Sequence, residues 1–343
     1  RLGQWHLDLL DLPAAHQVSR GEGVTVALVG SGVDGDHPDL HHNVLPGTDL
    51  AEPQHDNAWT PTASGTALAG IIAAHGNRLT DTEPGNRGAL GVAPAATLLP
   101  VRVNSSELTD QQAVELAAEG IEWAVANGAQ VICYAGGRAT QDVFADAIET
   151  ARTADVVVVA GVGGESGSAD VWFPAANPAV VSVVAVAGDG EAADDPGETG
   201  EVVFAAPGVD VLTTAPADGY TEDSRAETAA AMVAGAAALV RAAYPDLSAV
   251  EVIHRLAATA GDSGPAGYRT IDLVEALTAD VPPPTTAPAA PPGPDGAAGP
   301  PGVRDFGALP AVVLAVAAAA VVIGGAALLV HRIRRRRPPE ASE

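Results

Sequence analysis

Residues 1–280 predict an α/β fold, a parallel sheet with helices on both faces, and residues 309–330 add a C-terminal transmembrane helix. Three observations carry this reading. Short apolar runs alternate with segments of helical spacing, nine prolines crowd the stretch 281–303, and a charge-free run of 22 residues ends in clustered arginine. Buried parallel strands read as continuous apolar runs because both of their faces are covered.

The elements follow in order. Val24 to Val29 is apolar throughout and bounded by glycines, which predicts a strand buried on both faces. Ser64 to Ala74 predicts a helix of small residues, and Thr97 to Val103 the next strand. Thr109 to Asn127 places Val114, Ala117, Ala118, Ile121, Ala124 and Val125 at helical spacing, with Gly128 in the position that ends a helix. Val131 to Tyr134 predicts a strand, Gln141 to Thr153 a helix, and Val156 to Ala160 a strand. Ser182 to Ala187 and Val202 to Ala205 predict two more strands. Helices are predicted over Thr228 to Ala243 and Ser248 to Ala260, the second opening with a Ser248-x-x-Glu251 capping box. Such alternation predicts ligand sites at the carboxyl ends of the strands. There is no internal repeat in this part of the chain.

Beyond residue 280 the composition changes. Residues 281–308 cannot pack a core and predict a semi-rigid stalk of proline-rich, extended chain. The 22 residues from Leu309 to Val330 would cover about 30 Å as a helix, the thickness of a hydrocarbon core. Arg332 and Arg334 to Arg337 follow within the tail 331–343, and clustered arginine beside a span marks the cytoplasmic side. The sequence therefore predicts a single-pass cell-membrane protein with residues 1–308 outside. All 17 basic residues are Arg, and residues 1–330 carry 12 of them against 41 acids, a formal charge of −29. A surface this acidic repels nucleic acid and anionic headgroups, so no nucleic-acid partner is expected. The numbering starts at Arg1, and export needs a targeting signal, so a removed signal peptide is expected. Cys133, the one cysteine, lies in an apolar run and predicts a buried, inert thiol.

Five segments then carry a resemblance. Val24 to Val33 with His37-Pro38-Asp39-Leu40 resembles the first signature of the subtilisin-like serine proteases, or subtilases. Gly65 to Ala73 is similar to the second signature, and Gly91 to Ala96 with Val101-Arg102-Val103 to the stretch that follows it. Ala205 to Val211 resembles a further landmark, and Thr228 to Gly235 the helix of the third signature. Together with the stalk, the span and the segment Tyr268 to Leu277, they make the chain most similar to the mycosins, membrane-anchored subtilases of type VII secretion in actinobacteria. It departs from them in lacking paired cysteines. The resemblance implies a subtilisin-like parallel sheet.

Peptide cleavage by such a fold needs a serine hydroxyl, an imidazole to take its proton, a carboxylate to orient the imidazole, and oxyanion donors. The resemblance puts the carboxylate at Gly30, the imidazole at Ser64, the nucleophile at Glu227 and the oxyanion side chain at Gly164, with Ala231 replacing a usual proline. None of the catalytic positions is then intact, and the reading is a pseudoenzyme. Neighbours offer poor substitutes: Asp34 belongs to a loop past the turn, His75 lies 11 residues beyond Ser64, His55 is in the preceding loop, and Ser224 is three residues from Glu227. Glu227 at a helix start is favoured by the helix dipole. His37 reads as a turn residue and Trp123 as a core residue. The family's substrate-groove strand corresponds to Ala135, Gly136 and Gly137. No cofactor is expected, and no dense Asp/Asn loop argues for calcium or another metal.

The function expected from the resemblance is a catalytically inactive, membrane-anchored scaffold or cap within a type VII secretion assembly. Its partners would be secretion-machinery membrane proteins. An active serine endopeptidase with a displaced triad is one alternative. A module that binds extended peptides by strand addition without cutting them is another.

Overall fold

Strand β1, Thr25–Gly30, lies inside a sheet where every neighbour runs parallel to it, which explains why its sequence is apolar without alternation. In the computed structural model residues 3–54, 61–76, 88–136, 139, 142–162, 172–193 and 202–284 are described. The span predicted at 309–330, the tail 331–343, all of the stalk beyond Pro284, and His55, Gly137 and Gly164 lie outside the described residues.

Two short helices open the chain, α1 (His6–Leu9) and α2 (Leu12–Val18), ahead of β1. After β1 come β2 (Thr48–Asp49), helix α3 (Ala63–Ala73) and β3 (Thr97–Arg102). Helix α4 (Asp110–Ala126) starts at a capping box in which Thr109 and Gln112 bond reciprocally, and it ends before Gly128 at φ +83°. Then follow β4 (Val131–Tyr134), α5 (Ala145–Thr153), β5 (Val157–Val162), β6 (Val181–Val186) and β7 (Val202–Pro207). An antiparallel hairpin of β8 (Val211–Ala215) and β9 (Gly219–Asp223) precedes α6 (Ala226–Ala243). Helix α7 (Ala249–Thr259) carries the predicted box between Ser248 and Glu251, and α8 (Leu273–Thr278) closes the described part.

Among the described residues seven parallel strands form one sheet, in the order β2-β3-β1-β4-β5-β6-β7. Successive residues of a strand face opposite sides, so Val26 and Leu28 join one apolar cluster with α3 and α6, while Ala27 and Val29 join a second with α4 and α5. Trp123 packs against the second cluster. Helix α6 is long and apolar enough to cross a membrane, but 83% of it is buried inside the fold, so it is the core helix of this domain.

The predicted strands and helices form with ends shifted by one to a few residues. The sequence reading missed β2, α1, α2, α8 and the β8–β9 hairpin. The hairpin turn places Ala217 and Asp218 at φ +60° and +57°, and alanine carries no signal for that conformation. The hairpin matters to the site because Thr213 and Thr214 donate to Ala67 O and Thr66 O, at 2.8 and 2.7 Å, and so hold α3 from outside the sheet.

Candidate active-site crevice

The carboxyl ends of β1 and β4 meet the N-termini of α3 and α6. Past Gly30 the chain turns through Ser31 and Gly32 under the start of α3. Thr62 caps that helix, accepting from Gly65 N at 3.0 Å and donating to Gly32 O at 2.8 Å. A Cβ on Gly65 would lie 2.3 Å from Gly32 O, so only glycine allows this approach. Ser64 is thereby fixed in the first turn of α3, over the end of β1.

Gly30 is closed in from the other side. A Cβ there would lie 2.7 Å from Ala135 O and 3.0 Å from Ala135 C. Ala135 is itself held by its N–H donating to Val29 O at 2.8 Å. A side chain at position 30, a carboxylate included, would have to displace the backbone that follows β4.

The start of α6 brings a residue that sequence reasoning did not single out. Arg225, the N-cap of α6, reaches across the crevice and donates from its guanidinium to Ser64 Oγ. Asp223 aims it: the carboxylate accepts from Arg225 Nε at 3.1 and 3.0 Å and from a terminal nitrogen at 2.9 Å. Asp223 also accepts from Thr228 Oγ1. The pair is only partly exposed, 29% for Arg225 and 15% for Asp223. The signal that could have revealed it is the polar run Asp223-x-Arg225-x-x-Thr228 directly ahead of an apolar helix.

Glu227, in the first turn of α6, lines a small cavity with Tyr134, Gly136, Ala160, Gly161 and Phe173. Its volume is about 10 Å³, room for a single water. Behind this wall the thiol of Cys133, fully buried, is pushed up to about 12 by burial and then by the charge of Glu227. A guanidinium has no lone pair with which to take a proton from Ser64, and a carboxylate at Glu227 opposes a developing oxyanion. The crevice thus contains a hydroxyl held by a cation, and the helix start that carries the cation also carries an anion at Glu227.

The remaining candidates lie elsewhere. Ser224 Oγ accepts from Asp210 N at 2.8 Å and donates to Asp210 Oδ1 at 3.2 Å. Asp34 lies in the loop past β1, partly exposed, and accepts from Ala217 N at 3.0 Å, tying the first turn to the hairpin. His75 follows the far end of α3, its ring 5.5 Å from that of His41. His37 stands in a turn, its N–H donating to Asp34 O at 3.3 Å, and its ring is buried: Nδ1 accepts from Asp39 N at 3.1 Å, so Nε2–H donates to Gly219 O at 3.0 Å. Ala135 and Gly136 follow β4 directly, Ala135 against Gly30 and Gly136 on the wall of the Glu227 cavity.

Among the described residues no group of three or more His, Cys, Asp or Glu could hold a metal ion. Asp39 is fully buried and accepts from Ala89 N at 2.7 Å and Tyr220 Oη at 2.9 Å. Burial and that carboxylate push the Tyr220 phenol well above its usual range.

The pattern of the Subtilase family matches residues 21–285. Subtilisin DY of Bacillus licheniformis is 35% identical over 254 residues, 73% of this chain and 88% of that protein. Subtilisin E of Bacillus subtilis is 34% identical over 272 residues, 78% of this chain and 68% of that protein. Among solved structures, the MycP3 protease from the type VII (ESX-3) secretion system is similar at a TM-score of 0.65 and 29% identity, covering 80% of this chain and 88% of that one. MycP1 from Mycobacterium smegmatis is similar at a TM-score of 0.66 and 25% identity, covering 83% and 87%.

Proposed function

The chain belongs to the subtilase family, and on that premise we propose that it is a catalytically inactive member that scaffolds or caps a type VII secretion assembly at a membrane. One observation carries the reading of inactivity: Arg225, aimed by Asp223, occupies the crevice and holds Ser64 Oγ, where hydrolysis would need a proton acceptor. Gly30, packed against Ala135, and Glu227 at the start of α6 support it, because neither offers an orienting carboxylate or a nucleophilic hydroxyl at its position. The likeness to the MycP structures supports placement in secretion, and residues 309–330 supply the proposed anchor, with the domain outside and the arginine tail in the cytoplasm.

Two measurements test this. Full-length protein treated with a fluorophosphonate probe stays unlabelled; labelling lost in Ser64→Ala or Ser224→Ala would make it a protease with a displaced triad. In mild detergent the chain co-purifies with membrane components of a secretion system; purification without them under those conditions sinks the scaffold. A second reading is a module that holds extended peptides without cutting them, with the backbone of Ala135 and Gly136 after β4 as the edge to which a peptide strand would add. Recovery of bound peptides from the purified protein distinguishes it.

A further inference from the structure

Away from the crevice, and sharing none of its lining residues, a groove of about 490 Å³ runs between the start of the chain, the turn after β6 and the segment leading into α8. That volume is in the range of ligand-binding clefts, about 300–1,000 Å³. Leu10, Ile271 and Leu273 are buried along it, at 3%, 3% and 1% exposure. Leu9 forms one wall and is 54% exposed, a large apolar side chain left at the edge of an apolar floor.

The groove also has a charge. Asp11, Asp189 and Asp272 line it, all exposed, and no Arg or His is among its lining residues. Local turns use one oxygen each of Asp189 and Asp272, which accept from Glu191 N at 3.1 Å and Glu275 N at 2.9 Å. Arg269, beside the groove, is engaged with the chain's own backbone, donating to the oxygens of Gly261, itself a lining residue, Ala257 and Ala260. An apolar floor flanked by carboxylates complements an apolar side chain flanked by cations. A second copy would bring its own carboxylates, in a chain of net charge −26, to the same rim.

We propose that this groove docks a segment of a partner protein in which leucine or isoleucine alternates with Lys or Arg. The proposal stands apart from the fate of the crevice, since it involves neither Ser64 nor Arg225.

The probe is a fluorescein-labelled Lys-Leu-Lys-Ile-Lys-Leu-Lys peptide, titrated by anisotropy against the full chain in neutral detergent at low salt. Binding is expected to saturate, and to be lost when serine replaces its leucines and isoleucine. Leu9→Ser, and separately the double variant Asp11→Asn/Asp189→Asn, should each weaken binding about five-fold or more, the loss expected of a contributing contact. These positions are exposed, so folding should survive, and thermal melts check it. Equal weakening by Glu115→Gln/Glu119→Gln on the outer face of α4 would show general attraction to an acidic surface and overturn the proposal. Tighter binding by a chain ending at Val330 would put the chain's own arginine tail in the groove. A dimer in sedimentation that Leu9→Ser dissociates would put a second copy there. Either result overturns it.

Discussion

The guanidinium of Arg225 donates to the hydroxyl of Ser64, and this contact joins the N-terminus of α6 to that of α3 across the mouth of the crevice. Both helix starts carry partial positive charge, so a cation between them is not favoured by the helices themselves. The Asp223 carboxylate offsets that cost and fixes the direction of the side chain.

Arg225→Ala should therefore lower stability by about 1–2 kcal/mol, the range for a partly buried charged hydrogen bond, and Arg225→Lys should recover only part of it. Asp223→Asn should cost a similar amount, and the double variant less than the sum, because one network is removed in either case. Urea midpoints of the four proteins measure this. Additive losses would mean that Asp223 does not aim Arg225.

Position 30 gives a second prediction. Gly30→Asp cannot place its Cβ without moving Ala135, whose carbonyl would lie 2.7 Å away. We expect a loss of about 2 kcal/mol or more, of the size seen when a packed interior is overfilled. Adding Ser64→His and Glu227→Ser should leave the protein further destabilised and without measurable peptide hydrolysis. Turnover of a chromogenic peptide by that triple variant would show that the crevice had kept the geometry of catalysis.

His6 predicts a pH dependence. Burial lowers it from 6.5 to about 4, against the opposing bond to the Leu90 backbone. Above pH 6.5 both folded and unfolded chains hold it neutral. As pH falls from 6.5 towards 4 the unfolded chain takes up the proton first, so stability drops, and below 4 the loss levels off. The full loss from this one group is up to about 3 kcal/mol. Chemical melts at several pH values, compared with His6→Gln, isolate it: the difference between the two proteins should narrow or reverse across that window.

Cys133 should be silent in the native state. With the thiol pushed up to about 12 and fully buried, iodoacetamide at pH 8 should leave it unmodified for as long as the fold holds. It should react promptly in urea. Rapid native labelling would mean that β4 opens towards the Glu227 cavity.

Much of this molecule was legible in order along the chain. Val131 to Tyr134 was read as a strand with its observed bounds, and the Ser248–Glu251 box and Gly128 marked helix ends where the structure has them. These signals are local: a continuous apolar run, a hydroxyl three residues ahead of a carboxylate, a glycine that tolerates positive φ. The hairpin β8–β9 escaped because Ala217 and Asp218 adopt positive φ under tertiary constraint, and the burial of the His37 ring within its turn escaped because its partner Gly219 is 182 positions away.

By itself, the sequence determined the alternation of strands and helices, and with it the parallel sheet and the end at which a crevice opens. It also determined which residue types stand at Gly30, Ser64 and Glu227. Only the tertiary structure decided what fills the space between them. Asp223 and Arg225 are two residues apart in the chain, but Arg225 is 161 positions from Ser64, and no local pattern specifies which way a long, flexible guanidinium points. That direction is set when β8 and α6 dock against α3, because a partly buried cation needs acceptors placed around it.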